Sequence, residues 1–260
     1  MIGLFDSGIG GLTVLKEVAR LVPGKKLLYF GDTARTPYGN KSAEVVAEYG
    51  LEAARFLVRE GAKVLVVACN SVSAVGLEAI RSEFPKVPLF DVISPAVAAV
   101  RGLPKVSCVG VMGTRALVGS NVYQRLLASQ KGIRVVAHEA PLLVPLAEEG
   151  WITKPESKRI VKSYLAPFKQ AQVDTLVLAC THYPLFKEVI RARLSKRIRL
   201  VDPAEATAQS LAGWLKEYPD EAERLPEGES EFYLTDVAPH TVTVAKNWLR
   251  RTISIEKVTV

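Results

Sequence analysis

Two apolar runs in this chain each end on a bare thiol. Val64–Ala74 reads VLVVACNSVSA and Thr175–Leu185 reads TLVLACTHYPL. Cys69 is followed by Asn70 and Ser71, an amide and a hydroxyl; Cys180 is followed by Thr181 and His182, a hydroxyl and an imidazole. A free thiol ionises at about pH 8.5, near enough to neutrality for one sulfur to accept a proton while another donates one. Two such sulfurs on opposite faces of a carbon stereocentre would take a proton from one side and return one to the other, inverting the centre. Neighbours would tune them. A cationic His182 favours a thiolate beside it, whereas a carboxylate such as Asp6 disfavours one and can orient or receive the proton. Such groups titrate as a coupled set.

Three other readings stand beside this one. A strand-end cysteine is commonly a small core hydrophobe. The pair could be a dithiol redox couple, although a 111-residue separation and polar followers fit that poorly. Together with His182 they could ligate a metal, but no fourth ligand is evident and no Cys/His zinc spacing occurs, so no metal is expected. The third cysteine, Cys108 in VSCVGV, reads as core, and His138 and His240, without local partners, as structural or solvated.

The elements that must carry these groups are legible as a pattern. Short β-branched runs recur at Ile2–Phe5, Lys26–Gly31, Lys63–Cys69, Val87–Val92, Lys105–Gly113, Ile133–His138, Asp174–Cys180 and Ile198–Asp202. Helix-period stretches such as GGLTVLKEVARLVPG and AEVVAEYGLEAARFLVREGA lie between them. Strands apolar on both faces that alternate with helices imply a mostly parallel sheet flanked by helices, an α/β fold. IGLFDSGIGGLTVL and VGVMGTRALVGSNVY repeat the order strand, glycine, hydroxyl, helix. Ser7 to Thr114 is 107 positions and Cys69 to Cys180 is 111. Two similar doubly wound units are therefore expected, 1–94 plus 208–260 and 95–207, crossing at Ser94–Pro95 and closing with a helix and a final strand. Ligands of open α/β sheets sit beyond the C-terminal strand ends. There lie Asp6-Ser7-Gly8, Gly31–Thr33 with the Pro37-Tyr38-Gly39 turn, and the two cysteine turns. DSGIGG is neither a P-loop nor a GxGxxG fingerprint, but the N–H groups where its helix starts suit a carboxylate.

Composition narrows the class. The chain has 260 residues, 48% hydrophobic and 23% charged, enough for a sizeable core. Three cysteines are too few for a disulfide framework and fit a reducing, cytoplasmic setting. No run approaches the roughly 18 apolar residues of a membrane span, and MIGLFDSGIGG reads as a first strand rather than a signal peptide. The net charge is +7, yet the basic residues are dispersed; RARLSKRIR at Arg191–Arg199 reads as the wet face of a helix running into a strand. No nucleic-acid partner is expected, though a mild positive field would attract a small dianion. No lysine stands in a setting for a pyridoxal Schiff base.

FDSGIGGLTVL, GDTARTPYG, ACNSVSA, PLAEEG, ACTHYPL and FYLTD occur in one order across nearly the whole chain. In this the sequence resembles the glutamate racemase family, within the aspartate/glutamate racemase superfamily. The resemblance implies cofactor-independent interconversion of L- and D-glutamate by two bases in a site between the units, supplying D-glutamate for peptidoglycan in the cytoplasm. It implies that Cys69 acts on D-glutamate and Cys180 on L-glutamate. Asp6 and Asp32 would assist on the Cys69 side, Glu148 and His182 on the Cys180 side. Asp6, Ser7, Tyr38, Gly39, Asn70, Ser71, Thr114, Thr181 and His182 would bind the substrate. Glutamate is the expected partner, and a homodimer is left open. Position 71 is Ser where the family usually has Thr, and position 117 is Leu where it usually has a second Thr. The latter removes a hydroxyl expected near a substrate carboxylate and keeps an aspartate racemase in view, as well as a non-catalytic amino-acid-binding module.

Overall fold

A computed structural model describes residues 1–128 and 132–260, Ala128 by its backbone only. The chain begins with β1 (Ile2–Asp6), α1 (Leu12–Leu21), β2 (Leu27–Gly31), a 3-10 turn at Tyr38–Asn40, α2 (Ala43–Arg59), β3 (Val64–Val67), α3 (Asn70–Val75), α4 (Leu77–Glu83) and β4 (Leu89–Asp91). It continues through α5 (Ser94–Gly102), β5 (Cys108–Gly113), α6 (Arg115–Ser120), α7 (Val122–Ala128), β6 (Arg134–Glu139), α8 (Leu143–Glu148), α9 (Pro155–Gln170) and β7 (Thr175–Ala179). A second 3-10 turn at Tyr183–Phe186 leads to α10 (Lys187–Arg191), β8 (Arg199–Val201), α11 (Pro203–Glu217), α12 (Pro219–Glu223), β9 (Glu231–Leu234), α13 (Pro239–Leu249) and β10 (Glu256–Lys257).

The strands form two sheets, in the orders β10-β9-β2-β1-β3-β4 and β6-β5-β7-β8. All their pairings are parallel. The expected α/β class is the one observed. The internal repeat is present as topology, because β2-β1-β3-β4 and β6-β5-β7-β8 wind in the same order. Register gives it a chemical meaning. Phe5 pairs with Val67, and two residues on stand Ser7 and Cys69; Gly113 pairs with Ala179, and one residue on stand Thr114 and Cys180. Each unit thus sets a hydroxyl turn level with a thiol at neighbouring strand ends.

The central strands β1, β3, β5 and β7 are buried along their whole length, as their unbroken apolar sequences require. Ser94–Pro95, where a crossing between units is expected, is the first turn of α5, with proline where its missing N–H costs nothing. Asp91 fastens that turn, accepting from the N–H groups of Ile93 and Ser94 at 2.7 and 2.8 Å. The chain rejoins the first unit at α11, whose Ala204, Ala208, Leu211 and Leu215 belong to the same core as Ile2, Leu4 and Leu15. Trp248 of α13 packs against the cores of both units. In the basic stretch only Arg191 is helical; Arg193, Lys196 and Arg197 lie on the turn before β8. No helix among the described residues is long and apolar enough to cross a membrane.

Because α11 is the element that returns the chain, its core contacts should carry global stability. Leu211 has no exposed surface. Leu211→Ala should cost about 2–5 kcal/mol, read as a lower midpoint of urea unfolding with an unchanged slope.

Candidate active site

The C-terminal strand ends of both units meet at one cleft. It is lined by Asp6, Ser7, Thr36, Pro37, Tyr38, Gly39, Cys69, Asn70, Ser71, Thr114, Val144, Cys180, Thr181 and His182. Both thiols face it, although the core reading was open for each. Its free volume is about 20 Å³, room for on the order of one water.

Glycines let the units approach this closely. A Cβ on Gly10 would lie 2.3 Å from Thr181 Oγ1 and 2.5 Å from His182 Cε1. A Cβ on Gly39 would lie 2.7 Å from that of Thr114. Polar contacts close the same seam. Thr13 Oγ1 lies 2.9 Å from the Thr181 carbonyl, and the Ser71 and Thr114 hydroxyls are 3.1 Å apart. Arg115 Nη1 donates to Asn40 Oδ1 at 2.9 Å.

On the first unit's side, Asp6 Oδ2 accepts the Gly11 N–H at 2.9 Å, while Oδ1 is buried without a hydrogen bond of good geometry. Burial raises the Asp6 pKa; the His182 charge and the N–H groups of Gly11, Ser7 and Gly8 pull the other way. Cys69 precedes α3, its sulfur near Ser7 and the Val72 N–H. Burial pushes its thiol up to about 12, with the Asp6 charge adding to the rise. Around neutral pH this sulfur holds its proton. Asn70 Oδ1 is a second buried acceptor without a partner. Tyr29 pins the loop from beneath, its hydroxyl donating to the Gly8 carbonyl at 2.7 Å.

The second unit's side has the opposite polarity. His182 Nδ1 is 3.9 Å from the Cys180 sulfur, and its Nε2 is 3.1 Å from Glu148 Oε1. Burial opposes a charged ring, but the hydrogen bonds and negative charges of Cys180 and Glu148 prevail and raise its pKa to about 10. Near neutrality His182 is an imidazolium, with both ring N–H groups donating. Tyr183 braces the turn, its hydroxyl 3.0 Å from the Gly113 carbonyl and 2.8 Å from that of Ala140.

Of the residues expected in the site, Asp32 and Glu148 do not line the cleft. Glu148 stands behind His182, with its side chain about a third exposed at 31%. Asp32 stands behind Tyr38, whose hydroxyl donates to it; Arg35 Nε lies 2.6 Å from the same oxygen, and Thr235 Oγ1 donates to the other at 2.8 Å. Burial and the Asp32 charge both keep the Tyr38 hydroxyl protonated. Leu117 faces away from the cleft into a core with Val109 and Val111. Its replacement of a threonine therefore removes no lining hydroxyl. Cys108 is core, its sulfur 3.7 Å from the Ala171 carbonyl. His138 contacts the rings of Tyr164 and Phe168. His240 has a partner far along the chain, the Glu148 carbonyl at 2.8 Å. Three lining residues were missed. Thr36 and Pro37 adjoin Tyr38, and Val144 lies four residues before Glu148 on α8, a spacing that places both on one face.

Two thiols with unlike neighbours face one nearly closed space. A sequence model of the Asp/Glu/hydantoin racemase family matches residues 2–211. The chain belongs to that family. This racemase is 41% identical over 249 residues to a glutamate racemase of Geobacter metallireducens, covering 95% of this chain and 92% of that one. Its fold superposes on the structure of a glutamate racemase of Francisella tularensis in complex with D-glutamate with a TM-score of 0.90, at 32% identity and 99% and 97% coverage. For a glutamate racemase of Bacillus anthracis the TM-score is 0.93, at 34% identity and 100% and 97% coverage. Among the described residues no group of three or more His, Cys, Asp or Glu side chains could hold a metal ion.

Cys180 and then Glu148 outweigh burial at His182. Glu148→Gln removes the negative charge, so the His182 pKa should fall from about 10. Titration of its imidazole resonances by NMR measures this; an unmoved value would assign the charge to another cause.

Proposed function

We propose that this racemase interconverts L- and D-glutamate without a cofactor, with Cys69 and Cys180 as the two acid/base groups. The observation that carries the reading is the pair of thiols facing one cleft in opposite states of preparation. Cys69 is a protonated acid beside a carboxylate, and Cys180 stands beside an imidazolium backed by a second carboxylate.

With L-glutamate bound, Cys180 as thiolate takes the α-proton on one face. The Cys69 thiol delivers its proton to the opposite face, so one S–H forms as the other is consumed. D-glutamate results, with Cys180 now a thiol and Cys69 a thiolate. The reverse reaction runs from that state. His182 offsets charge at Cys180, while Asp6, held above the ordinary carboxylate range, can return a proton to Cys69. The unpartnered acceptors Asp6 Oδ1 and Asn70 Oδ1 suit the three N–H donors of an α-ammonium group. Ser7, Ser71, Thr114 and Thr181 supply hydroxyls for carboxylates. Without a cofactor as electron sink, the carbanion depends on fixed dipoles and on the exclusion of water.

An amino acid of ten heavy atoms needs several times the room of one water, so the cleft must widen to admit it. The units 1–94 plus 208–260 and 95–207 are the bodies we propose to part. Asp32 would act on the Cys69 side through Tyr38. The product would serve peptidoglycan synthesis in the cytoplasm. Relatives named glutamate racemase at 39–45% identity support glutamate over aspartate.

The purified protein should abolish the circular dichroism of L-glutamate without added metal or cofactor, and act on aspartate at least tenfold more slowly. Preference for aspartate would reassign the substrate, and binding without α-hydrogen exchange in heavy water would make the protein a binding module. Cys69→Ser and Cys180→Ser should each reduce racemisation at least a thousandfold. Each should retain one-way elimination from a β-chlorinated amino acid, which needs one base. Full racemisation by either variant would refute the two-thiol scheme.

A further inference from the structure

The pair that attends Cys180 is held from outside its own unit. His182 lies just past β7 of the second unit and Glu148 at the end of α8, yet each is touched by α13, which packs through Val244 and Ala245 into the first unit's core. His240, in the first turn of α13, lies with Nε2 2.8 Å from the Glu148 carbonyl. A carbonyl only accepts, so Nε2 carries the proton. Two turns on, about 12 Å along the axis, Trp248 meets the His182 ring at 5.7 Å between centroids and 87° between planes. That is a T-shaped contact within the range of an imidazolium–indole attraction.

From this geometry we infer that His240 is a positioning residue: through the Glu148 backbone it fixes the carboxylate against His182, and so completes the proton relay of Cys180 only when the two units are closed.

The geometry of α8 gives this its force. The helix has six residues and ends at Glu148, followed by Glu149 and by Gly150 with φ of 69°. Its carbonyls of Pro145, Leu146 and Ala147 are taken by the N–H groups of Glu149, Trp151 and Gly150, the residues that follow it. His240 takes the one belonging to Glu148. The Glu148 side chain is only partly buried, so its own packing does not fix its rotamer. The groups facing His182 are Cys180, Glu148, Asp6 and the Trp248 ring. Of these, Glu148 is the one whose backbone carbonyl is tied by a hydrogen bond across the unit boundary. When the units part, that bond and the Trp248 contact are both lost, and the relay comes apart with the cleft open.

The inference rests on the proposed role of the Cys180 side, and one measurement keeps the two separable. His240→Ala should lower the His182 imidazole pKa by NMR titration, and should reduce kcat about tenfold with KM changed less than threefold. His240→Gln, whose amide N–H can still donate to the carbonyl, should restore both. A His182 titration that is unmoved in His240→Ala overturns the inference, whatever the activity. So does equal damage in His240→Gln with a lowered His182 pKa in neither. If the wild-type protein does not racemise glutamate, the reading of function fails; a His182 pKa that falls in His240→Ala and returns in His240→Gln would still assign the positioning role.

Discussion

A ring that is 3% exposed stays cationic because the Cys180 sulfur at 3.9 Å and the Glu148 carboxylate at 3.1 Å together outweigh its burial. Burying a charge without a partner costs more than a domain's fold can spare. The His182–Glu148 pair removes that cost and so permits a charged group at the floor of a nearly dry cleft. Much else depends on it. The Cys180 sulfur has a cation beside it there, and Asp6 feels the same cation from the other side. The pair also joins buried chemistry to the outer seam between the units, since one of its members is partly exposed.

The duplicated winding of the two sheets gives the cleft two chemically similar walls. Each wall carries a hydroxyl turn and a thiol turn at matched strand ends. Likeness ends at the next residue. Cys69 precedes a helix and lies beside Asp6, with the charge balance against ionisation. Cys180 precedes a tight turn that swings an imidazole back toward the sulfur. One backbone plan thus holds two thiols in unlike surroundings. A two-base inversion needs that difference, because a pair of identical acids or identical bases could not begin.

Most of the fold was legible because its signals are local. Buried parallel strands are continuous apolar runs, and all eight runs identified from sequence correspond to strands β1–β8. The lining of the cleft was largely legible for the same reason, since ligand groups gather just past such runs. What stayed hidden involves contacts between distant parts of the chain. Asp32 directly follows β2, much as Asp6 ends β1, but Tyr38 stands between it and the cleft. Leu117 is only three residues beyond Thr114, yet its side chain packs into the core with Val109 and Val111. His240 looked partnerless because its acceptor is 92 residues away in another unit. Gly10 was read as part of a helix start and Gly39 as a turn residue that binds substrate; their other role, contact with the opposite wall, depends on which loops the closed cleft brings together.

The matched winding of the sheets also bears on equilibrium. Two mirror-image amino acids have equal free energies in water, so no asymmetry of the protein can alter their final ratio. The unlike walls decide only which antipode leaves the enzyme waiting in which protonation state. Detailed balance then ties the specificity constants of the two directions to one common value. Any difference between them must appear as traded saturation against turnover.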